Sequence, residues 1–182
     1  MHPGSHMRFI AMVSAALSAL PFLTPLARAQ ETASKHDDVL ATIATFKKKD
    51  PGLQKFFDDA VGIAVLPTVA KGAIGIGGAH GTGELLVGEN AIGKISMTQV
   101  TIGLQLGGQA YSEIIFFQNQ NTLDGFKHSD FAFAAQATAV ALASGASANA
   151  AYRNGVAVFT SAKGGLMYEA SIGGQKFSFK AY

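Results

Sequence analysis

The sequence predicts an α+β domain: charged N-terminal helices, then a strongly curved, mainly antiparallel, glycine-rich β-sheet or barrel-like sheet, with one short inserted helix. Three observations predict it. Residues 31–60 hold 11 charged residues in 30, whereas residues 61–182 hold 13 in 122. Those last 122 residues contain 19 glycines, over twice the average usage of about 7%. Apolar residues recur at three-to-four spacing in the first part and at period two in the second.

The chain of 182 residues suits one domain. Residues 1–29 read as an amino-terminal extension and secretory signal. Met7-Arg8 supplies a positive start, Phe9 to Leu20 an apolar run, and Ala27-Arg28-Ala29 a small-x-small cleavage site before Gln30. A run of about twelve residues is too short for a bilayer, which needs roughly 20. The expectation is therefore an exported protein, periplasmic or secreted, whose domain is residues 30–182. Without Arg8 and Arg28 that domain has 12 basic and 12 acidic residues. A chain with no basic excess is a poor nucleic-acid binder. The absence of cysteine excludes disulfides, thiol catalysis and a lipid-modified cysteine.

Within residues 30–60 two helices are expected. Ser34 is placed to cap the first, with Asp37 three residues on approximating a capping box. Val39, Leu40, Ile43 and Phe46 share one face, and Lys47, Lys48 and Lys49 suit the carboxyl end of the helix dipole. Asp50-Pro51 is a cap followed by proline at a first helical position. Leu53, Phe56, Phe57 and Ala60 form the next apolar face.

Residues 61–182 form the β-rich core. VTIGLQLGGQA predicts one long strand, with Val100, Ile102, Leu104, Leu106 and Ala110 on its buried side. EIIFFQ (Glu113 to Gln118) continues as a more buried strand. Asn121 to Lys127 reads as a short helix anchored by Leu123 and Phe126. FAFAAQATAVALASG reads as strand because Phe131 and Phe133 share parity with the odd alanines. The final run, GVAVFTSAKGGLMYEASIGGQKFSF, reads as strands broken at Lys163 to Gly165 and at Gly173-Gly174.

The stretch KGAIGIGGAHGTG (Lys71 to Gly83) invites a nucleotide-binding reading, which fails on spacing. Starting a dinucleotide fingerprint at Gly75 puts its third glycine on His80, and starting at Gly81 puts it on Leu86. GENAIGKI (Gly88 to Ile95) lacks the hydroxyl after Lys94 and runs into a strand pattern instead of a helix. Glycine within strands marks bends, bulges and close backbone approach. The stretch is expected to be scaffold, and no cofactor is expected.

AVGIAVLPTVAKGAIGIGGAHGTGELLV, then TIGLQLGGQAYSEIIFFQN, then GVAVFTSAKGGLMYEASIGG resembles the SYLF domain, from about Ala60 to Phe179. That family includes secreted bacterial proteins and eukaryotic proteins that bind phosphoinositides, some of them associated with actin. Ser171-Ile172-Gly173-Gly174 departs from the Ser-Leu-Glu-Gly common in the eukaryotic members, so any role of that acid there does not transfer. The resemblance implies a non-enzymatic, lipid-binding domain, peripheral on a membrane surface, using an amphipathic helical segment with basic residues. Here that maps to Lys47, Lys48, Lys49 and Lys55 beside Phe46, Phe56 and Phe57. For an exported protein, anionic phospholipid is the expected partner class.

Residues 31–60 sum to a net charge of −1, so attraction requires lysines and aspartates on different faces. The other reading of this segment is a solvated charged face with its phenylalanines packed on the sheet. The alternative function is a structural protein that self-associates, or binds a protein partner, through a sheet edge. An enzyme is not expected. His80 and Glu84 share strand parity and form a weak candidate pair, short of the three protein ligands of catalytic zinc. No Gly-x-Ser-x-Gly elbow exists. Glu84, Glu113 and Glu169 lie in apolar strand regions, where a carboxylate pair would mark a site.

Overall fold

The computed structural model describes residues 25–74, 76–102, 107–128, 131–134, 137–164 and 170–182. The apolar run of the expected signal, along with Gly75, Leu104, Leu106 and Glu169, lies outside them.

Helix α1 is unbroken over Pro25–Lys49. It runs through Ala27 to Ala29 and through Ser34, so Ser34 lies inside the helix and not at its amino-terminal cap position. Leu26, Ala27, Arg28, Ala29, Gln30 and Glu31 are strong helix formers that extend the helix past the expected cap. Its buried line is Val39, Thr42 and Phe46, while Leu40 is 46% exposed. Thr42 can be buried because its hydroxyl donates to the Asp38 carbonyl at 2.8 Å.

Asp50 ends α1 as the sequence leads one to expect. Its backbone is extended, its carboxylate caps the short 3₁₀ turn Pro51–Leu53, and α2 follows over Gln54–Asp59. The same carboxylate accepts from Gly52 N at 3.0 Å and from Ser147 N at 2.7 Å, with only 2% of the residue exposed. Burial on its own would raise this acid. The hydrogen bonds from Ser147 and Gly52 outweigh it and hold the group below the usual carboxylate range.

The strands are β1 (Gly62–Ile74), β2 (Ile76–Val87), β3 (Asn90–Ile102), β4 (Gly107–Phe117), β5 (Thr138–Ala141), β6 (Val156–Ala162), β7 (Ala170–Ser171) and β8 (Lys176–Ala181), with α3 (Gln120–Lys127) between β4 and β5. They form one mixed sheet in the order β7-β5-β6-β4-β1-β2-β3-β8, not closed into a barrel. Neighbouring strands pair antiparallel except β5 with β6. The α+β class and the short helix between strands are as expected, with Leu123 and Phe126 buried under α3.

VTIGLQLGGQA is divided, not one strand. Val100 to Ile102 end β3, whereas Gly107 to Ala110 begin β4, which pairs with β1. Val100 is 72% exposed, and its neighbour Gln99 is the buried residue. Gln99 donates to the Gly173 carbonyl at 2.8 Å, so an amide takes the inward parity that apolar alternation assigns elsewhere. Among the described residues of the alanine-rich run, the strand is Thr138–Ala141. Gly145, at φ 76°, then leads into a 3₁₀ turn over Ala146–Asn149.

The sheet separates two cores. On one face Val65, Leu86, Ile114, Phe116 and Phe159 pack under Val39 and Phe46 of α1, together with Leu53 and Phe56. On the other, Leu66, Leu85, Met97, Ile115 and Phe117 meet Leu123 and Phe126 of α3. The glycine-rich stretch is the end of β1 and the start of β2, with Ile74 opposite Ile76. At Gly83 a Cβ would collide with the Val65 carbonyl oxygen, beside the register shift between Val65 and Thr68. Glycine there answers to the close backbone approach of a bulge.

Candidate functional site

The helical prefix brings the expected lysines and phenylalanines together and then separates them by depth. Phe46 and Phe56 are 0% and 3% exposed. Phe56 packs edge-on against Phe159 with ring centroids 5.0 Å apart, and Phe57 packs edge-on against Phe116 at 4.8 Å. These rings touch the sheet, so Phe46 and Phe56 have no surface to offer a bilayer. The apolar spacing that marks an amphipathic helix marks an ordinary core-facing stripe here.

The ammonium groups remain outside. Lys48, Lys49 and Lys55 are exposed. Lys47 Nζ lies 4.4 Å from the Phe57 ring centroid and Lys55 Nζ 5.0 Å from that of Phe56, both within cation–π range. Lys49 donates to Ser161 Oγ at 2.7 Å and Lys55 to the Ser147 carbonyl at 2.8 Å. Of the acids near in sequence, Asp50 is sealed in its cap. Asp37 and Asp38 lie nine or more residues back along α1, roughly 14 Å along its axis. Asp58 and Asp59, at the end of α2, are the exposed acids left beside the four lysines.

A second constellation lies where the amino half of α1 crosses β1, β2, β3 and β8. A cleft of about 470 Å³ opens there, lined among others by Lys35, Asp38, Glu84, Lys94, Lys180 and Tyr182. Glu84 is its buried acid, 2% exposed. One carboxylate oxygen bonds His36 Nδ1 at 2.7 Å, and the other accepts a hydrogen bond from the Tyr182 hydroxyl. Burial and that bond to Glu84 push the Tyr182 phenol up, keeping it a protonated donor.

Strand register explains the arrangement. Glu84 lies opposite Lys94, and Lys94 opposite Lys180. One step along, Thr68, Thr82, Ser96 and Ser178 are successive partners across the same four strands. The next row is His80, Thr98 and Lys176. Side chains two residues apart share a face, so the three rows form one polar floor. Its rows are about 7 Å apart and its columns about 4.8 Å.

This register also decides the expected pairs. His80 is exposed and four residues from Glu84, about 13 Å along β2, so the two do not touch. The histidine that meets Glu84 is His36, from α1. Nothing in the sequence joins residues 48 positions apart; the usable signal was an acid inside an apolar alternation, which requires a partner. Among the described residues no group of three or more histidines and acids could hold a metal ion.

Glu84 and Glu113 are not a pair either. Their β1 neighbours are Val65 and Leu66, adjacent residues that face opposite sides of the sheet. Glu113 is 0% exposed beside Gln175 and Tyr111. Gln175 Nε2 donates to Glu113 Oε2 at 3.0 Å and reaches the Tyr111 oxygen at 3.2 Å. Burial pushes the Glu113 carboxyl up to about 7, the Gln175 hydrogen bond offsetting only part of the cost. No helix among the described residues is long and apolar enough to cross a membrane. In comparison with known proteins, no family model matches the chain and no curated protein sequence matches it.

Proposed function

We propose that the chain is an exported, non-enzymatic module that binds anionic phospholipid peripherally, through the lysine-rich end of α1 and the start of α2. The observation that carries this reading is the fate of the charges around Lys47, Lys48, Lys49 and Lys55. Asp50 is withdrawn into a buried cap, and Asp58 and Asp59 remain against four lysines. The prefix is nearly neutral in sequence but locally cationic at this end. Resemblance to the SYLF domain supports the same class of partner.

Because Phe46 and Phe56 are spent on the core, the attraction is electrostatic and not insertional. At about 1 kcal/mol per lysine near an anionic surface, a net excess of two supplies roughly 2 kcal/mol. Binding of that size is weak and sensitive to salt. The test is co-sedimentation with vesicles of phosphatidylglycerol and phosphatidylcholine against phosphatidylcholine alone. The protein is expected to pellet with the first at low salt and with neither at high salt. Lys48→Glu, which reverses an exposed charge, is expected to weaken pelleting about thirtyfold. Equal binding to both vesicle types, or indifference to Lys48→Glu, would contradict the proposal.

A further inference from the structure

The cleft beneath the amino half of α1 has no part in the surface just described, yet it is built like a binding site. Its floor is the cross-strand row Thr68, Thr82, Ser96 and Ser178. Three of these side chains belong to exposed residues and Ser96 is half-buried, so the hydroxyls face the opening. Ser96 Oγ and Ser178 Oγ are 2.6 Å apart. A hydroxyl both donates and accepts, which makes such a row suited to another set of hydroxyls.

Cations surround that row. Lys94 and Lys180 flank it on one side, and Lys176 on the other. Lys35 enters from α1, and Lys163 donates to Thr68 Oγ1 at 2.6 Å. The acids at the cleft are Asp38 and Glu84, and both oxygens of Glu84 are already engaged by His36 and Tyr182. Through His36, Glu84 helps hold α1 over the floor, and the two acids stand against five lysines.

We infer that this cleft binds a phosphorylated polyol, with the phosphate among Lys94, Lys180 and Lys35 and the polyol on the threonine–serine row. The volume of about 470 Å³ lies within the range of small-molecule sites, roughly 300–1,000 Å³. The phosphoglycerol head group of a lipid and a free glycerol phosphate present the same chemistry. For its lipid source the inference rests on the phospholipid-binding reading; for the free source it does not.

The experiment is an amide-resonance titration of the full chain with sn-glycerol 1-phosphate, with inorganic phosphate and glycerol as separate probes, alongside vesicle pelleting. Glycerol phosphate is expected to shift Thr82, Ser96 and Ser178 together with Lys94 and Lys180, and to bind more tightly than inorganic phosphate or glycerol. Ser96→Ala with Ser178→Ala is expected to weaken it about tenfold, whereas Lys48→Glu leaves it unchanged. Saturable shifts in the cleft without vesicle pelleting would support the site with a free ligand and remove the lipid reading. Pelleting that responds to Lys48→Glu, with no cleft shifts, would overturn this inference and leave the lipid reading standing. Equal response to inorganic phosphate alone would also overturn it. The titration of the unsubstituted chain decides the matter even if the serine variant does not fold.

Discussion

Glu84 and Glu113 lie on strands either side of β1, both in apolar sequence surroundings, and face opposite sides of the sheet. Glu84 meets a histidine and a phenol at the mouth of a lysine-rich cleft. Glu113 is enclosed with neutral partners, and among the described residues its Oε1 has no hydrogen-bond partner. The difference teaches that an acid in a strand becomes part of a polar surface or a neutral core group according to what the other elements bring to it. α1 supplies the helix face with charged groups. The opposite face gives Glu113 one Gln175 N–H donor, which favours the carboxylate but does not offset the cost of complete burial.

Removing the acidic proton of Glu113 sharpens that contrast most. Its folded value is raised from 4.5 to about 7. Between those values the folded chain keeps a proton that the unfolded chain has released, so stability falls as pH rises through the window and stays reduced above it. Glu113→Gln is expected to remove that slope and to raise the unfolding free energy at pH 8 by up to roughly 3 kcal/mol, read by urea denaturation from pH 4 to 8. An unchanged slope would show that the group is not neutral inside.

Asp50 is the reverse case, a buried acid held as a carboxylate by backbone donors. Asp50→Ala strips the cap from Gly52 and Ser147 and is expected to cost about 1–3 kcal/mol at neutral pH. Because its folded value is lowered, its contribution is present above the unfolded value and is lost as pH falls through the folded one. The variant should therefore approach the parent in the acid limb of the same titration.

At the cleft, Glu84→Gln is expected to cost about 1–2 kcal/mol, since charge-assisted hydrogen bonds give way to neutral ones. His36→Ala removes one of the same bonds and is expected to cost less, about 1 kcal/mol. A double-mutant cycle of His36→Ala with Glu84→Gln, read by thermal unfolding, checks that they act as one unit. Smallest of all is Lys48→Glu, expected to change stability by less than about 0.5 kcal/mol while altering vesicle binding. A large stability loss there would tie Lys48 to the fold and not to a partner.

Much of this architecture was legible in the residues. The Asp50-Pro51 junction, α3 with Leu123 and Phe126, and the breaks around Lys163 and Gly173 follow local rules of caps, periodicity and glycine. Ser34 misled because strong helix formers precede it and carry α1 through. Val100 misled because Gln99, given a carbonyl at Gly173, takes the buried parity. The lysine–phenylalanine cluster was visible as a group, but its division into core rings and surface ammonium groups depends on how α1 and α2 dock. The cleft was invisible for a different reason. Its threonines and serines are scattered between positions 68 and 178 and align only through the register of four strands, while His36 reaches Glu84 only across the helix–sheet contact.

The central claim is that ligand contact belongs to the helix-bearing side of the sheet, made by lysines without release of the buried phenylalanines. Hydrogen–deuterium exchange with and without phosphatidylglycerol vesicles tests it most directly. The expected result is slower exchange over residues 47–55, with no change over β4 from Tyr111 to Phe117 and no faster exchange at Phe46 or Phe56. Faster exchange there on adding vesicles, which would mean that the rings leave the core for the bilayer, would contradict the account, as would protection confined to the Glu113 side.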